Sequence, residues 1–228
     1  MRLREQAYRA FVRLVLERRL RPGQFVSQRE LAAMLDLPLG AIRESIPRLE
    51  ADGLLTAFPQ RGLQVATLDM RLVRETLELR RMVELTAIAH YTRHAPDEAI
   101  ARERAALVRI AEKTAQGITP ALMAEADVVD LGFHDRVVES LDNGLIAEIH
   151  RVNAIRMRLV MSGPGGLTPP TLPVMLAEHA AVLRAVAARD EAAATAALAA
   201  HLETTRRRAL MLDTPVTPAL PLAAGGMS

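Results

Sequence analysis

Residues 22–65 read PGQFVSQRELAAMLDLPLGAIRESIPRLEADGLLTAFPQRGLQV. Ser27-Gln28-Arg29-Glu30 has the form of a capping box. The Ser side chain accepts from a backbone N–H three residues on, and the Glu reaches back to the Ser N–H. Leu31, Met34 and Leu35 then recur at helical spacing. Asp36-Leu37-Pro38-Leu39-Gly40 breaks that helix, and Pro38 suits the first turn of another. Ile42, Ile46 and Leu49 make the apolar stripe of the second helix, and Gly53 supplies the left-handed residue that ends it. Leu54–Ala57 and Leu63–Ala66 are short strand candidates around Pro59-Gln60-Arg61-Gly62. Two short helices, a tight turn and a hairpin, in that order, describe a winged helix-turn-helix. In such a module the second helix enters the major groove and backbone contacts fix its register.

The same stretch resembles the GntR family of bacterial transcription regulators. The resemblance is carried by Tyr8, Pro22-Gly23, Glu30-Leu31-Ala32, Arg43-Glu44, Arg48-Leu49-Glu50, Asp52-Gly53-Leu54 and Arg61-Gly62. It implies that Arg29 and Arg43 contact DNA and that Gly62 sits at the wing tip near the minor groove. The DNA-facing set is expected to comprise Arg29, Leu39, Gly40, Arg43, Arg48, Gln60, Arg61 and Gly62. Two departures from the family pattern stand out. Pro38-Leu39-Gly40-Ala41 replaces the usual Ser-Arg-Thr-Pro, so polar groove-facing positions are apolar or missing. Pro47 falls inside the recognition helix, where it removes a backbone donor and is expected to bend or weaken the helix. Altered sequence preference or weaker DNA binding follows, with the fold retained.

A chain of 228 residues accommodates one or two domains. Half of it is hydrophobic and only 3% aromatic, so its core is built mostly of aliphatic side chains and alanine. With no cysteine, a disulfide framework and a thiolate metal site are excluded. The N-terminus leads into a charged amphipathic helix rather than a signal peptide. The longest uncharged stretch, Leu159–Ala177, is interrupted by Pro164, Pro169, Pro170 and Pro173, so no membrane span is expected. The reading is a soluble, cytoplasmic protein. Through Thr67 the chain has 11 arginines against 7 acids, and the remainder has 18 basic against 20 acidic residues. The positive excess lies where a phosphate backbone would need it.

The fold class is mainly α: an N-terminal winged helix-turn-helix at 1–67, an all-α antiparallel helical bundle at 69–213, and a Pro/Ala/Gly-rich tail at 214–228 expected to be disordered. Helices are expected over 69–93 (with Leu72, Val73, Thr76, Leu79, Val83 and Ile88 as its stripe), 96–117, 120–141, 144–161, 171–189 and 190–213, with a loop at 163–170. Connections this short imply antiparallel neighbours.

Four residues carry the chemistry of the bundle. Asp130 and His134 are four apart and share a helix face. His179 and His201 each lie 11 residues from Asp190, at the turn of the last helical hairpin. At the helical rise, both are roughly 16 Å from that turn and therefore level with one another. Asp130 and His134 lie at a comparable depth measured from the Asp142-Asn143-Gly144 turn. Three imidazoles and a carboxylate suit Zn²⁺, Ni²⁺, Mn²⁺ or a similar divalent ion. The spacing is also similar to the ligand-binding domain of the FadR subgroup of GntR regulators. There Asp-x-x-Phe-His, Glu-His and a later His correspond to Asp130-Leu131-Gly132-Phe133-His134, Glu178-His179 and His201. His90, His94 and His150 do not match and read as ordinary helix residues. The same resemblance implies that Arg80 faces the cavity, where its guanidinium could hold an effector carboxylate; the alternative is a solvated arginine paired with Glu84. Arg156 and Arg158 are further effector-binding candidates.

These features point to a non-enzymatic regulator that binds a pseudo-palindromic double-stranded DNA operator as a homodimer. It would sense a small organic acid through a metal-containing cavity. The rival readings are a helical metallohydrolase, and a protein whose metal is structural and whose winged helix serves protein contacts.

Overall fold

A computed structural model describes residues 2–17, 19–67, 69–161 and 166–211. The tail expected at 214–228 and part of the loop expected at 163–170 lie outside them. The chain begins with α1 (Leu3–Leu16), β1 (Phe25–Val26), α2 (Gln28–Leu35), α3 (Leu39–Ala51), β2 (Leu55–Phe58) and β3 (Gly62–Val65). Six longer helices follow: α4 (Met70–His94), α5 (Asp97–Gln116), α6 (Pro120–Glu139), α7 (Gly144–Met161), α8 (Leu172–Ala187) and α9 (Glu191–Ala209). This is a winged helix-turn-helix followed by an all-α domain. No helix among the described residues is long and apolar enough to cross a membrane.

The predicted start of α2 is present in full. Ser27 Oγ accepts from Glu30 N at 3.1 Å, and Ser27 N donates to Glu30 Oε2 at 2.7 Å. Asp36, at φ 50°, turns the chain into α3. Pro47 lies inside α3, which continues through it to Ala51. Buried Ile42 and Ile46 before it and Leu49 after it hold both sides of the proline in the core. The ring still leaves the Arg43 carbonyl without its usual helical donor.

The three strands form one antiparallel sheet in the order β1-β3-β2, with Phe25 opposite Gln64 and Leu55 opposite Val65. β1 has only two residues, too few to show an alternating pattern, and the sequence reading missed it. It explains Gly62. This residue has φ 92°, and a Cβ there would stand 2.9 Å from the Val26 carbonyl oxygen. Gly62→Ala is therefore expected to cost about 1–3 kcal/mol, the range for a strained backbone position. Urea denaturation of the variant beside the parent checks this.

The first core gathers Phe11, Leu14, Leu31, Ile42, Leu49, Leu54 and Leu63, joined by Ile155 and Leu159 of α7. A second fills the bundle around Ile88, Ile110, Phe133, Leu172, Val182 and Leu198. A third, smaller cluster joins Val73 and Leu77 of α4 to Met157 and Val160 of α7 and to Ala209. Side chains of α7 thus enter the N-terminal core and pack on the bundle. Burying each large aliphatic side chain contributes about 1.5–3 kcal/mol. The buried face of α4 matches the expected stripe at Val73, Thr76 and Ile88 and departs from it elsewhere. Leu72, Leu79 and Val83 are only half-buried, while Leu77, Arg80, Glu84 and Ala87 face inward.

Candidate functional site

The surface expected to face DNA lies where α3 meets the wing. Arg29, Leu39, Arg43, Gln60 and Gly62 line one cleft of about 580 Å³. Gly40 is exposed beside it, with nothing within 4 Å of a notional Cβ. Arg43 donates from Nε to Gln28 Oε1 at 3.2 Å, which orients the guanidinium while leaving its terminal amino groups outward. The Arg61 guanidinium lies 5.0 Å from the Phe25 ring centroid. Arg48 corrects the expectation. It pairs with Glu5 and stacks over Tyr8 at 4.1 Å, on the side of α3 that faces the bundle. Five residues separate Arg43 from Arg48, a rotation of about 140° around a helix of 3.6 residues per turn. One arginine therefore faces outward and the other toward α7.

Asp130, His134, His179 and His201 come together as the spacing predicted. All four are buried, and one ligand atom from each lies within 4.8 Å of the others. His179 Nε2 is 3.0 Å from Asp130 Oδ1 and 3.3 Å from His201 Nε2; His134 Nε2 is 4.0 Å from Asp130 Oδ1. The outward ring nitrogens of two histidines are held by carboxylates. His134 Nδ1 is 2.7 Å from Glu84 Oε2, and His201 Nδ1 is 2.9 Å from Glu178 Oε2. Such a partner takes the proton on Nδ1 and turns the Nε2 lone pair inward.

The electrostatics favour the same protonation states. Burial pushes His201 down to about 4, helped by neighbouring His179 and opposed by Glu178. Burial, with Arg80, also lowers His134 against the pull of Glu84. Burial alone would raise Asp130, but the three imidazoles around it hold it far below the usual carboxylate range. Around neutral pH the pocket therefore offers a carboxylate and neutral imidazoles at His134 and His201. Among the described residues His134 Nε2 is buried without a hydrogen-bond partner, and Asp130 Oδ1 has only the His179 ring nitrogen at 3.0 Å, outside good hydrogen-bond geometry. Buried polar atoms without partners are costly, and a cation between them would satisfy both. The donor set fits a divalent metal. Phe133 closes one side, its ring centroid 5.1 Å from that of His179.

Arg80 is neither solvated nor free. It is 3% exposed and donates from Nε to Glu84 Oε1 at 2.7 Å, while its Nη2 is buried with no partner. Burial would raise Glu84, but Arg80 and His134 outweigh it and hold the carboxyl at about 2. Arg156 and Arg158 are not part of this cluster. Arg156 Nη2 donates to the Asp52 carbonyl at 2.8 Å and packs on Gly53, at the end of α3. Arg158 lies 3.4 Å from Asp135 Oδ2, beside His150, which is 2.9 Å from Asp135 Oδ1. The rings of His90 and His94 lie tilted against each other, centroids 4.5 Å apart.

The sequence reading also missed a joint between the two halves. Tyr8 Oη donates to Asp52 Oδ2 at 2.6 Å and accepts from Arg151 Nη1 at 2.7 Å. Burial and Asp52 push the Tyr8 hydroxyl up, so it remains a donor. Tyr8→Phe removes both bonds without changing shape. The variant is expected to lose about 1–3 kcal/mol of stability, as for hydrogen bonds to charged groups, read as a lower thermal midpoint.

A recognition helix and wing facing outward, jointed to a helical domain with a buried polar centre, define a DNA-binding regulator of two parts. The chain belongs to the GntR family of bacterial regulatory proteins. The profile of that family matches residues 3–65, and the FCD domain matches residues 75–204. The chain is 28% identical over 200 residues to an HTH-type transcriptional regulator in an unstable DNA locus of Streptomyces ambofaciens, spanning 87% of this chain and 81% of that one. Its fold is similar to that of McbR/YncC of E. coli, with a TM-score of 0.78 at 18% identity, covering 93% of this chain and 99% of the other. It is similar too to a putative transcriptional regulator GntR from Rhodococcus sp. RHA1, with a TM-score of 0.76 at 21% identity, covering 91% and 97%. The chain is thus a transcription regulator with an N-terminal DNA-binding domain and a C-terminal FCD domain.

Proposed function

We propose that this regulator senses a small organic acid through a divalent metal held by Asp130, His134, His179 and His201. The observation that carries the reading is the juxtaposition of two kinds of unmet demand in one buried cluster. Among the described residues the His134 Nε2 lone pair has no donor, Asp130 Oδ1 meets only the His179 ring nitrogen, and the Arg80 Nη2 lacks an acceptor. A carboxylate on Arg80 answers the second demand, and a divalent ion answers the first. When bound, the ion supplies Lewis-acid binding of the acid's remaining oxygens. Asp130 and the imidazoles hold the ion, Glu84 and Glu178 orient two of those imidazoles, and Phe133 screens the pocket. Zn²⁺, Ni²⁺ and Mn²⁺ all suit these donors. The regulator acts in the cytoplasm as a homodimer on a pseudo-palindromic operator, reading each half-site with Arg29, Arg43 and the wing. The acid shifts DNA binding by favouring one arrangement of the DNA-binding domains over another, which requires unequal affinity for the two.

The test is selection of bound fragments from randomised DNA by metal-loaded protein. A panel of mono- and dicarboxylates is then screened for release from, or tightening on, the enriched sequence. An enriched palindrome and an acid response lost on chelation are expected. A response undiminished by chelation would sink the metal-dependent reading.

A further inference from the structure

We propose that Glu84 is a positioning residue that couples an acid bound at Arg80 to the metal bound at His134, so that each ligand alters the affinity for the other. The inference rests on the metal and acid assignment made above and adds the connection between them. Glu84 is 1% exposed, and its two oxygens serve different partners. Oε1 accepts from Arg80 Nε and Oε2 faces His134 Nδ1, each at 2.7 Å. At the far ends of this chain stand the two unpartnered atoms, Arg80 Nη2 and His134 Nε2. Arg80 and Glu84 are one turn apart on α4, whereas His134 is on α6, so the chain also bridges two helices.

A carboxylate shared between two donors divides its charge between them. An acid that engages the guanidinium weakens the guanidinium's hold on Glu84. Glu84 then accepts more strongly from His134 Nδ1–H, and the opposite ring nitrogen becomes the better metal ligand. Thermodynamic linkage makes the effect reciprocal. His201 provides an internal contrast. Its Nδ1 meets Glu178 at 2.9 Å, but the Glu178 side chain is 21% exposed and its other neighbours are Thr204 and Arg208.

The test uses Zn²⁺ alone, titrated into the full chain in competition with a chromophoric chelator. The proteins are the parent, Arg80→Met, Glu84→Gln, the double variant and Glu178→Gln. Both Gln variants are expected to bind Zn²⁺ about 10–100-fold more weakly, as loss of a ligand-orienting carboxylate generally causes. Arg80→Met is expected to bind several-fold more tightly than the parent, and to have no effect when Glu84 is already Gln. Combined with Glu178→Gln, it should keep its full effect. An Arg80→Met effect of equal size in both Glu84 backgrounds would overturn the coupling, because Arg80 would then act on the ion through space. Failure of the parent itself to bind Zn²⁺ would instead overturn the metal assignment. If Glu84→Gln does not fold, the visible bands of Co²⁺-loaded Arg80→Lys decide. A shift from the parent spectrum is expected, and an unshifted spectrum overturns the coupling.

Discussion

His134→Ala is expected to give a folded protein that no longer retains a divalent ion. His134 is 3% exposed, and its Nε2 points at the other ligands with no other partner. Orienting carboxylates alone are commonly worth 10–100-fold in metal affinity, so loss of a ligand itself should cost more than about 100-fold. The measurement is metal content after dialysis, paired with melting curves with and without a chelator. An ion present at about 100 times its Kd stabilises the folded state by about 2.7 kcal/mol. The parent should therefore melt lower in chelator, and His134→Ala should melt at one temperature in both conditions. Removing the ring also takes away the partner of Glu84 Oε2, a further cost of about 1–3 kcal/mol for a buried acceptor left unmet. DNA binding should survive, since the cluster and the carboxylates that orient it stand on α4, α6, α8 and α9 and the recognition helix is α3. Full metal stoichiometry in the variant would remove His134 from the ligand set.

Arg43→Ala should abolish most sequence preference in DNA binding. Arg43 is exposed on α3 and is steadied by Gln28 through Nε alone. Its terminal amino groups are left free for a two-pronged contact to guanine O6 and N7, which is worth about 1–3 kcal/mol of discrimination. The proposed symmetric dimer would make that contact in both half-sites, so affinity for the selected operator is expected to fall by about 30-fold or more at fixed salt. Binding to unrelated DNA should change little. Arg48→Ala is the natural companion. Its guanidinium lies between Glu5 and Tyr8, so base preference should be unchanged in that variant. Anisotropy titrations on operator and scrambled duplexes separate these outcomes. Undiminished operator binding by Arg43→Ala would take α3 out of the readout.

The parts of this architecture that were legible in the sequence are those encoded by local rules. Ser27 to Glu30, Asp36 and Gly53 each act within a few residues, so the helix-turn-helix could be read directly. The cluster of Asp130, His134, His179 and His201 was legible for a different reason. Helical rise fixes the depth of a residue from its turn, and His179 and His201 are equidistant from Asp190. The face of α4 was only partly legible, at Val73, Thr76 and Ile88, because hydropathy treats Arg80 and Glu84 as solvent-facing. They are buried because each satisfies the other. Glu84 belongs to His134, 50 residues along the chain, a pairing that only tertiary structure creates. Arg156 was drawn away from the expected effector set for the same reason. A backbone carbonyl at the end of α3 gave it a partner that carries no sequence signature.

The placement of α7 bears on how such regulators can be recombined. A cut near residue 68 looks like the natural seam between reading head and sensor. Yet Ile155 and Leu159 belong to the N-terminal hydrophobic core, and Arg151 and Arg156 grip Tyr8 and Asp52 from the other side of that cut. A head grafted onto a foreign sensor would lose part of its own interior and expose what that interior had covered. For this protein, exchange of specificities by domain shuffling needs the head-facing side of α7 to travel with the head, although it is encoded some 90 residues downstream.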